Sequence, residues 1–420
     1  MNRILLGDIA TSQTGPFGSQ LHEEDYVLEG TPIVTVEHLG DVGFTLQNLP
    51  FVSDEDAERL KKYTLQEGDI VFSRVGAIDR SVYVKKEQEG WLFSGRCLRV
   101  RCDKSKINSR YLSYYFKQKE FKNMMLNVSV GATMPSLNTD IMNNIEIYAV
   151  DRDAQDKIAD LLDAIDTKIE KNIFTITELE SMAKTIYDYW FLQYDFPDEN
   201  GKPYKSSGGE MVWNEELKKE IPLGWEVGKL EDFGTLSNGI NYSRDEIGNK
   251  KYKIVNVRNM SNTSLLLEEA DMDEIYLKAK VAENYLLKQD DILIARSGIP
   301  GAIRILEGDI ANTIYCGFII CLSLKSYQYR KYLTYKLKDY ENTTATTSGG
   351  TIMQNVSQST LRDIKFAVPT EKCLSAFNEK IESIWKAMQS RTMQNKELVS
   401  LRSFLLPLLM NGQVGFRERQ

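Results

Sequence analysis

The feature that most constrains the fold is an internal repeat in which four segments recur, in the same order, about 220 residues later. The pairs are PIVTVEHL (32–39) with KIVNVRNM (253–260), LQEGDIVFSRVG (65–76) with LLKQDDILIARSG (286–298), RYLSYYFKQ (110–118) with KYLTYKLKD (331–339), and VSVGATMPSLNTDIMNNIEI (128–147) with TTSGGTIMQNVSQSTLRDIKF (346–366). A single match of this kind is common among apolar strands. Four matches in one order predict a duplicated unit.

Each half ends with a strand that leads into a long helix, at 147–166 and again at 366–385. Apolar residues then step by three or four positions, which gives each helix one apolar stripe. A lone helix of this length cannot bury its stripe, so we expect the two helices to pair. Because the second must run back along the first, the pair should be antiparallel; the alternative is that each helix packs on its own unit. Pro407 predicts an end or kink in the second helix.

The predicted fold class is α+β, with two similar domains of irregular sheets separated by two long antiparallel helices and related by a pseudo-twofold internal repeat. Short β-rich segments with few helices, rather than alternating strands and helices, favour this class over a doubly wound fold. The division is 1–150 for the first domain, 151–195 for the first helix, 196–221 for a linker, 222–370 for the second domain, 371–412 for the second helix and 413–420 for a tail.

Motifs for catalysis, cofactors and metals are missing from the sequence. The chain contains no Walker loop, and its two histidines, His22 and His38, both fall in the first half and have no repeated copy. The pairs Cys97/Cys102 and Cys316/Cys321 occupy matching positions, but two thiols five residues apart on a strand face opposite ways, which favours packed thiols over zinc ligands. We therefore predict no cofactor and no metal.

Charge and cysteine content limit the possible compartments and partners. The net charge is −8, and most of the acid excess falls in residues 151–221, so either large unit can still present a basic face to nucleic acid. The five cysteines suit a reducing, cytoplasmic location. No apolar run is long enough to predict a membrane-spanning helix.

Repeated polar loops are the candidate nucleic-acid contacts. Arg74 and Arg296 each follow a strand and precede a Gly-containing turn, where a guanidinium could bind a guanine edge or a phosphate; the alternative is an ion pair with Asp69 or Asp291. A basic and aromatic stretch over 96–122 is a second candidate, although a solvated helix face is its commoner meaning. The candidate DNA-binding residues are Gly15, Phe17, Ser19, Gln20, Ser73, Arg74, Arg110, Thr133, Asn241, Tyr242, Arg244, Arg296, Ser297, Ser348 and Thr351.

These motifs resemble the specificity subunits of type I restriction–modification enzymes. The resemblance covers nearly the whole chain and is carried by GDIVFSRVG and DDILIARSG, the YL-x2-Y helices, GATMPSLNTDIMNNIEIYAV and the IPLGW segment at 221–225. The N-terminal segment departs from the family pattern, because the P-x-GW motif has no copy before Arg3. The resemblance implies two target-recognition domains that each read one half of a split DNA site, with the paired helices setting the gap as a coiled-coil spacer.

The resemblance also implies partners. It predicts double-stranded DNA, two adenine methyltransferase subunits and motor–nuclease restriction subunits as partners, and no catalytic activity in the chain itself. Apolar helix positions expected at partner or helix contacts are Ile165, Ile169, Leu179, Ile186, Ile381, Leu401 and Leu405. Two alternatives remain open: a methyltransferase or nuclease with a fused recognition region, and a coiled-coil scaffold unrelated to DNA. The lack of a [DN]PP[YF] motif argues against the first.

Overall fold

The computed structural model describes residues 2–16, 20–40, 42–46, 48–128, 136–242, 248–261, 264–267, 272–308, 310–346 and 355–416. The chain divides into two compact units, Met1–Glu170 with Leu398–Gln420 and Lys171–Glu397. Both boundaries fall inside the long helices, which span Arg152–Tyr187 and Glu371–Met410. Each unit therefore contains one domain of the repeat and one end of each long helix, rather than the separate domain and helix segments predicted from sequence.

The described residues of unit 1 form three small sheets. Asn2–Leu5 pairs antiparallel with Glu146–Ala149. A four-stranded antiparallel sheet has the order Ala10–Thr14, Cys97–Cys102, Asp69–Ser73, Ser81–Tyr83. A second four-stranded sheet has the order Tyr26–Val27, Phe51–Val52, Thr31–Val34, Leu92–Phe93. Its α-helices are Leu6–Ile9, Asp54–Arg59, Ser109–Lys117, Lys119–Val128 and Thr139–Asn143.

Unit 2 repeats this plan. Glu226–Lys229 pairs antiparallel with Lys365–Val368, and a four-stranded sheet has the order Gly234–Asn238, Ile319–Leu324, Ile292–Ala295, Ile303–Ile305. A three-stranded sheet joins Asp273–Leu277, Lys250–Val255 and Thr313–Tyr315. Helices are Leu230–Phe233, Val257–Met260, Ala279–Ala282, Arg330–Thr346 and Gln358–Arg362, and a π-helix, Asp188–Leu192, extends the first long helix. The matching strand order confirms the duplication predicted from sequence.

The repeated apolar runs are strands with a core on both faces. In unit 1, Ile70 and Phe72 belong to the core under the long helices, whereas Val71 faces the second core. In unit 2, Ile292 and Leu293 separate in the same way. Successive side chains of a strand point to opposite faces, so burial of both faces requires an unbroken apolar run.

Both long helices contribute to one of the two cores in each unit. In unit 1, Ile158 and Leu162 of the first helix share a core with Leu406, Leu409 and Met410 of the second. In unit 2, a core forms from Tyr187 and Trp190 of the first helix and from Phe377, Ile381 and Trp385 of the second. The second helix continues through Pro407 to Met410, so this proline does not end it. Among the described residues, no helix is long and apolar enough to cross a membrane.

The segment predicted as a linker, 196–221, is folded. Met211–Asn214 and Lys219–Pro222 form an antiparallel hairpin. Phe196 stacks on Tyr204 and Trp225 with ring centroids 4.7 and 5.4 Å apart, and Ile221 is buried in the core of unit 2. Aromatic residues flank this Gly- and Ser-rich stretch and hold both of its ends in place. Composition alone did not predict these contacts.

A buried polar cluster links the two long helices in unit 1. The Asp166 carboxylate accepts hydrogen bonds from the Arg402 guanidinium at 2.7 Å and from the Tyr114 hydroxyl at 2.9 Å. Both charged side chains are less than 10% exposed, at 6% and 8%. In unit 2 the repeat places Tyr335 and Trp385 where unit 1 has Tyr114 and Asp166, and there the indole N–H donates to the hydroxyl at 3.1 Å. The same position is therefore charged in one unit and aromatic in the other.

We predict that Arg402→Ala destabilises unit 1 by about 1.5–3 kcal/mol, because it removes a charge-assisted hydrogen bond to the buried Asp166 carboxylate and leaves the Lys117 ammonium, 3.6 Å away, as the nearby cation. The double change Asp166→Trp with Arg402→Ala, which copies Trp385 of unit 2, should recover most of that loss. Urea unfolding measures both values. Lys157→Ala, which removes an ion pair that is largely exposed, is the control and should cost less than about 1 kcal/mol. An Arg402→Ala effect no larger than the control would contradict the assignment.

Candidate nucleic-acid interface

Two loops of unit 1 meet at the end of the four-stranded sheet. The Gly15 amide donates to the Cys97 carbonyl at 3.1 Å. A Cβ at Gly15 would lie 2.1 Å from the Ser94 carbonyl oxygen, and one at Gly95 would lie 2.1 Å from that of Pro16. Glycine is required at both positions because the two backbones touch. Gly15 therefore positions the loop rather than supplying a contact of its own.

Arg74 joins these loops to a third. Its amide donates to the Arg96 carbonyl at 2.8 Å, and its own carbonyl accepts from the Leu137 amide at 2.9 Å. The guanidinium Nε and Nη1 donate to the carbonyls of Leu137 and Gly95 at 3.1 and 3.3 Å. The predicted alternative, an ion pair with Asp69, is wrong, because that carboxylate binds Arg101 through two 2.7 Å bonds. Two nitrogens of the Arg74 guanidinium thus donate hydrogen bonds within the protein.

Unit 2 builds the same junction from equivalent residues. The Arg296 amide donates to the Phe318 carbonyl at 2.8 Å, and the Arg296 carbonyl accepts from Val356 at 2.9 Å. The Gly317 amide donates to Ile240 at 2.8 Å, and a Cβ at Gly317 would lie 2.0 Å from Asn241 Oδ1. The Arg296 and Asn241 side chains are exposed at this junction. The structure therefore brings together the predicted residues Asn241, Tyr242, Arg296 and Ser297.

Two further residues lie at the tips of these junctions: Arg96, the first residue of the predicted basic stretch 96–122, and Phe318, which the sequence analysis did not name. Arg96 is exposed in unit 1, and Phe318 is 59% exposed in unit 2. They are equivalent, because each carbonyl accepts the bond from Arg74 or Arg296. The signal was present in the sequence as Gly-Arg-Cys at 95–97 and Gly-Phe-Ile at 317–319, directly before a buried strand. An exposed arginine and an exposed phenylalanine give the two junctions different binding chemistry.

Other predicted DNA contacts have different surroundings. Ser73 is buried and donates to the Val75 carbonyl at 3.1 Å, so it is unavailable to a ligand. The Gln20 side chain accepts from the Tyr63 hydroxyl at 2.9 Å. Phe17, Ser19, Thr133, Arg244, Ser348 and Thr351 lie outside the described residues.

Arg110 and the basic, aromatic stretch serve the interior of each unit. The Arg110 guanidinium lies 2.8 Å from the Asp160 carboxylate and 3.6 Å from that of Asp163, both on the first long helix. Desolvation lowers the pKa of Arg110, but the hydrogen bond and charge of Asp160 together with the charge of Asp163 outweigh it and leave that pKa raised. In unit 2, the buried Arg330 pairs with Glu307, and the buried Lys331 pairs with Glu382. These helices pack in the core, so the geometry assigns Arg110 to an ion pair rather than to DNA.

Most residues predicted to face partners on the long helices are buried or half-buried within the chain. Ile165 is 7% exposed, Ile169 is 2% exposed and Ile381 is completely buried. Leu179 and Ile186 are half-buried against the core of unit 2, and Leu405 against that of unit 1. Leu401 is 45% exposed. Other apolar side chains of the same helices are more exposed still: Phe174, Met182, Met393 and Phe404.

The thiols are inert packing residues. Burial raises the pKa of Cys97 and of Cys102 to about 12, which keeps both protonated at neutral pH. They lie against different cores of unit 1, as expected for opposite faces of one strand. Among the residues that the structure describes, no group of three or more His, Cys, Asp or Glu side chains is placed to hold a metal ion.

Comparison with known proteins agrees with this architecture. The chain is similar to the type I restriction enzyme MjaIX specificity subunit of Methanocaldococcus jannaschii, with 26% identity over 75% of this chain and 71% of that protein. It is also similar to the HindI specificity subunit of Haemophilus influenzae, with 23% identity over 84% of this chain and 88% of that protein. A crystal structure of the type I restriction–modification S subunit from M. genitalium has a similar fold, with a TM-score of 0.50 and 13% identity over 100% of this chain and 96% of that one.

The family model described as type I restriction modification DNA specificity domain matches residues 2–180 and again 222–397. Each match covers one copy of the repeat, including its loop junction, and together the two account for most of the sequence. The chain therefore belongs to the family of type I restriction–modification DNA specificity proteins.

Proposed function

We propose that the chain reads an asymmetric, bipartite DNA site, with one half-site bound by the junction of each unit. The observation that carries this proposal is the pair of equivalent junctions with different tips, Arg96 in unit 1 and Phe318 in unit 2. An arginine can bind guanine O6 and N7 in the major groove, whereas a phenylalanine makes apolar contact with a thymine methyl group. Two junctions of different chemistry favour two different half-sites.

The chain is a recognition subunit and not an enzyme, in agreement with the specificity subunits to which it is similar. Its proposed partners are double-stranded DNA, two methyltransferase subunits that modify adenine, and restriction subunits that join afterwards. Exposed Phe174, Met182, Met393, Leu401 and Phe404 on the long helices are the proposed apolar contacts for methyltransferase subunits. We propose a cytoplasmic location, where such a complex meets DNA.

We further propose that the two long helices form an antiparallel coiled-coil spacer. In unit 1, Asp166 binds Arg402. In unit 2, Asn172, six residues further along the first helix, donates to Asn395, seven residues before Arg402 on the second. Residue numbers that rise on one helix while they fall on the other support an antiparallel arrangement. Buried polar contacts at these positions favour one register over its neighbours.

We predict that Arg296→Ala and Phe318→Ala each relax the sequence preference of one half-site and leave the other half-site unchanged. Loss of one base contact should reduce discrimination at a base pair by roughly 1–3 kcal/mol. Mapping of methylated adenines in cells that carry the variant complex measures both half-sites at once. Lys280→Ala, a change at an exposed lysine elsewhere in unit 2, is the control for lost charge.

Arg74→Ala provides a contrast to these two changes. Because its guanidinium binds carbonyls of its own unit, we expect this variant to lower the free energy of unfolding by about 1–2 kcal/mol. Equal relaxation of both half-sites by Arg296→Ala would contradict the assignment of one junction to one half-site.

Spacer length should set the gap between half-sites. Insertion of about four helical residues after Glu170 and again after Glu397 adds roughly 6 Å along each helix. Since base pairs stack about 3.4 Å apart, the preferred gap should grow by roughly two base pairs while both half-site sequences stay the same. Methylation of a DNA library with randomised gaps measures this preference. An altered half-site sequence, or an unchanged gap in a complex that still methylates DNA, would show that helix length does not set the gap between half-sites.

A further inference from the structure

Unit 1 contains an open groove of about 930 Å³ on the side of the Asn2–Leu5 and Glu146–Ala149 sheet. Its apolar lining includes Phe121, Met124, Ile141 and Tyr148. Tyr148 is 45% exposed, although it lies on a strand whose neighbours Ile147 and Ala149 are buried. A groove of this size with an exposed aromatic lining is a binding surface that the described part of unit 1 leaves uncovered.

All charged residues among those that line the groove are acidic: Glu120, Asp140 and Glu146. Glu146 is bound by Arg3 and accepts a hydrogen bond from the Tyr148 hydroxyl at 2.9 Å, and these contacts hold the pKa of its carboxyl below the usual range. Glu120 and Asp140 are exposed. The rim is therefore negative, which favours an occupant that carries Lys or Arg beside its apolar side chains.

The equivalent place in unit 2 is covered by this chain's own hairpin. The repeat makes Lys365 the counterpart of Glu146, and the Lys365 ammonium lies 2.9 Å from the carboxylate of Glu216 in the hairpin turn. Leu217 and Ile221 of the hairpin pack against the core of unit 2. Ala367, the counterpart of Tyr148, is only 6% exposed.

A charge interaction agrees with this equivalence. Lys336 is the counterpart of Tyr115, which lines the groove of unit 1. Burial lowers the pKa of Lys336, and the ammonium of Lys219 in the hairpin lowers it further. Lys219 of the hairpin is therefore near enough to Lys336 for the two charges to interact.

We propose that the groove of unit 1 docks a segment of a methyltransferase subunit, in extended or hairpin form, with an apolar side chain flanked by Lys or Arg. This inference rests on the proposed function. Occupancy and charge decide between partners. In a second copy the matching hairpin already covers unit 2, and its 215–220 segment carries three Glu against two Lys, so it offers no basic excess to the acidic rim. A basic segment from a different subunit satisfies both the apolar lining and the rim.

The test is photo-crosslinking in the complex of the full chain with its methyltransferase, without DNA. Ile141→p-benzoylphenylalanine places the crosslinker in the groove, and Leu28→p-benzoylphenylalanine places it on an exposed position of unit 1 outside the groove. We expect the first variant, and not the second, to crosslink to a methyltransferase peptide with Lys or Arg near the linked residue. Mass spectrometry identifies that peptide.

Charge reversal provides an independent measurement. Glu120→Lys with Asp140→Lys should weaken methyltransferase binding roughly threefold to thirtyfold, since two exposed ion pairs with the basic segment are lost. Glu24→Lys with Glu87→Lys, at exposed acidic residues elsewhere in unit 1, is the matched control and should leave binding unchanged. Thermal unfolding of both double variants verifies that unit 1 stays folded.

The outcomes separate the two proposals. A methyltransferase that co-purifies with the chain but crosslinks nowhere near Ile141, or a crosslink to a second copy or to residues 413–420, overturns the docking site and leaves the proposed function intact. Equal weakening by the two double variants also overturns it. A chain that binds no methyltransferase at all overturns both.

Discussion

Burial of the apolar stripes on the two long helices is the constraint on which the rest of the structure depends. A helix of 36 or 40 residues exposes its stripe unless another element covers it. In this chain each end of each helix is covered inside a compact unit. The core around Ile158 includes Leu406, Leu409 and Met410, which lie near the other end of the chain. The core around Phe377 includes Tyr187, Trp190 and Phe191. Unit 1 consequently cannot complete its core from residues 1–170 alone.

The same constraint explains why equivalent positions use unlike side chains. Where two similar helix ends meet two similar domains, an apolar stripe alone gives little preference for one pairing over the other. The contacts at this position differ between the units. In unit 1, Asp166 binds Arg402 and Tyr114, whereas in unit 2 Trp385 binds Tyr335. A helix end from one unit therefore does not fit the other. An exchanged pairing would place a buried charge against an indole, which is strongly unfavourable. Charge at this layer adds specificity beyond the free energy of burial.

Sequence was informative where a pattern repeats and uninformative where a residue acts alone. The duplication, the strands at 69–73 and 292–295 and both long helices follow from apolar period and order, and the structure has them. The family resemblance was confirmed by the match to both copies. The hairpin within 196–221 was missed because its stability comes from distant aromatic contacts, to which local composition is blind. Arg110 looked like a DNA contact because sequence shows a charge but not the Asp160 carboxylate beside it.

The junctions show how one scaffold can support two chemistries. The amide of Arg74 and that of Arg296 bind the backbone carbonyl of the tip residue, and a glycine lets the neighbouring loop approach. None of these contacts involves the tip side chain, so Arg96 and Phe318 can differ without changing the loop that carries them. A backbone-held tip uncouples stability from recognition, because a substitution there changes what is bound while the core and the hydrogen bonds beneath it remain. If the tips bind DNA as proposed, duplication of such a unit followed by divergence at its tips is sufficient to produce two half-site readers from one fold.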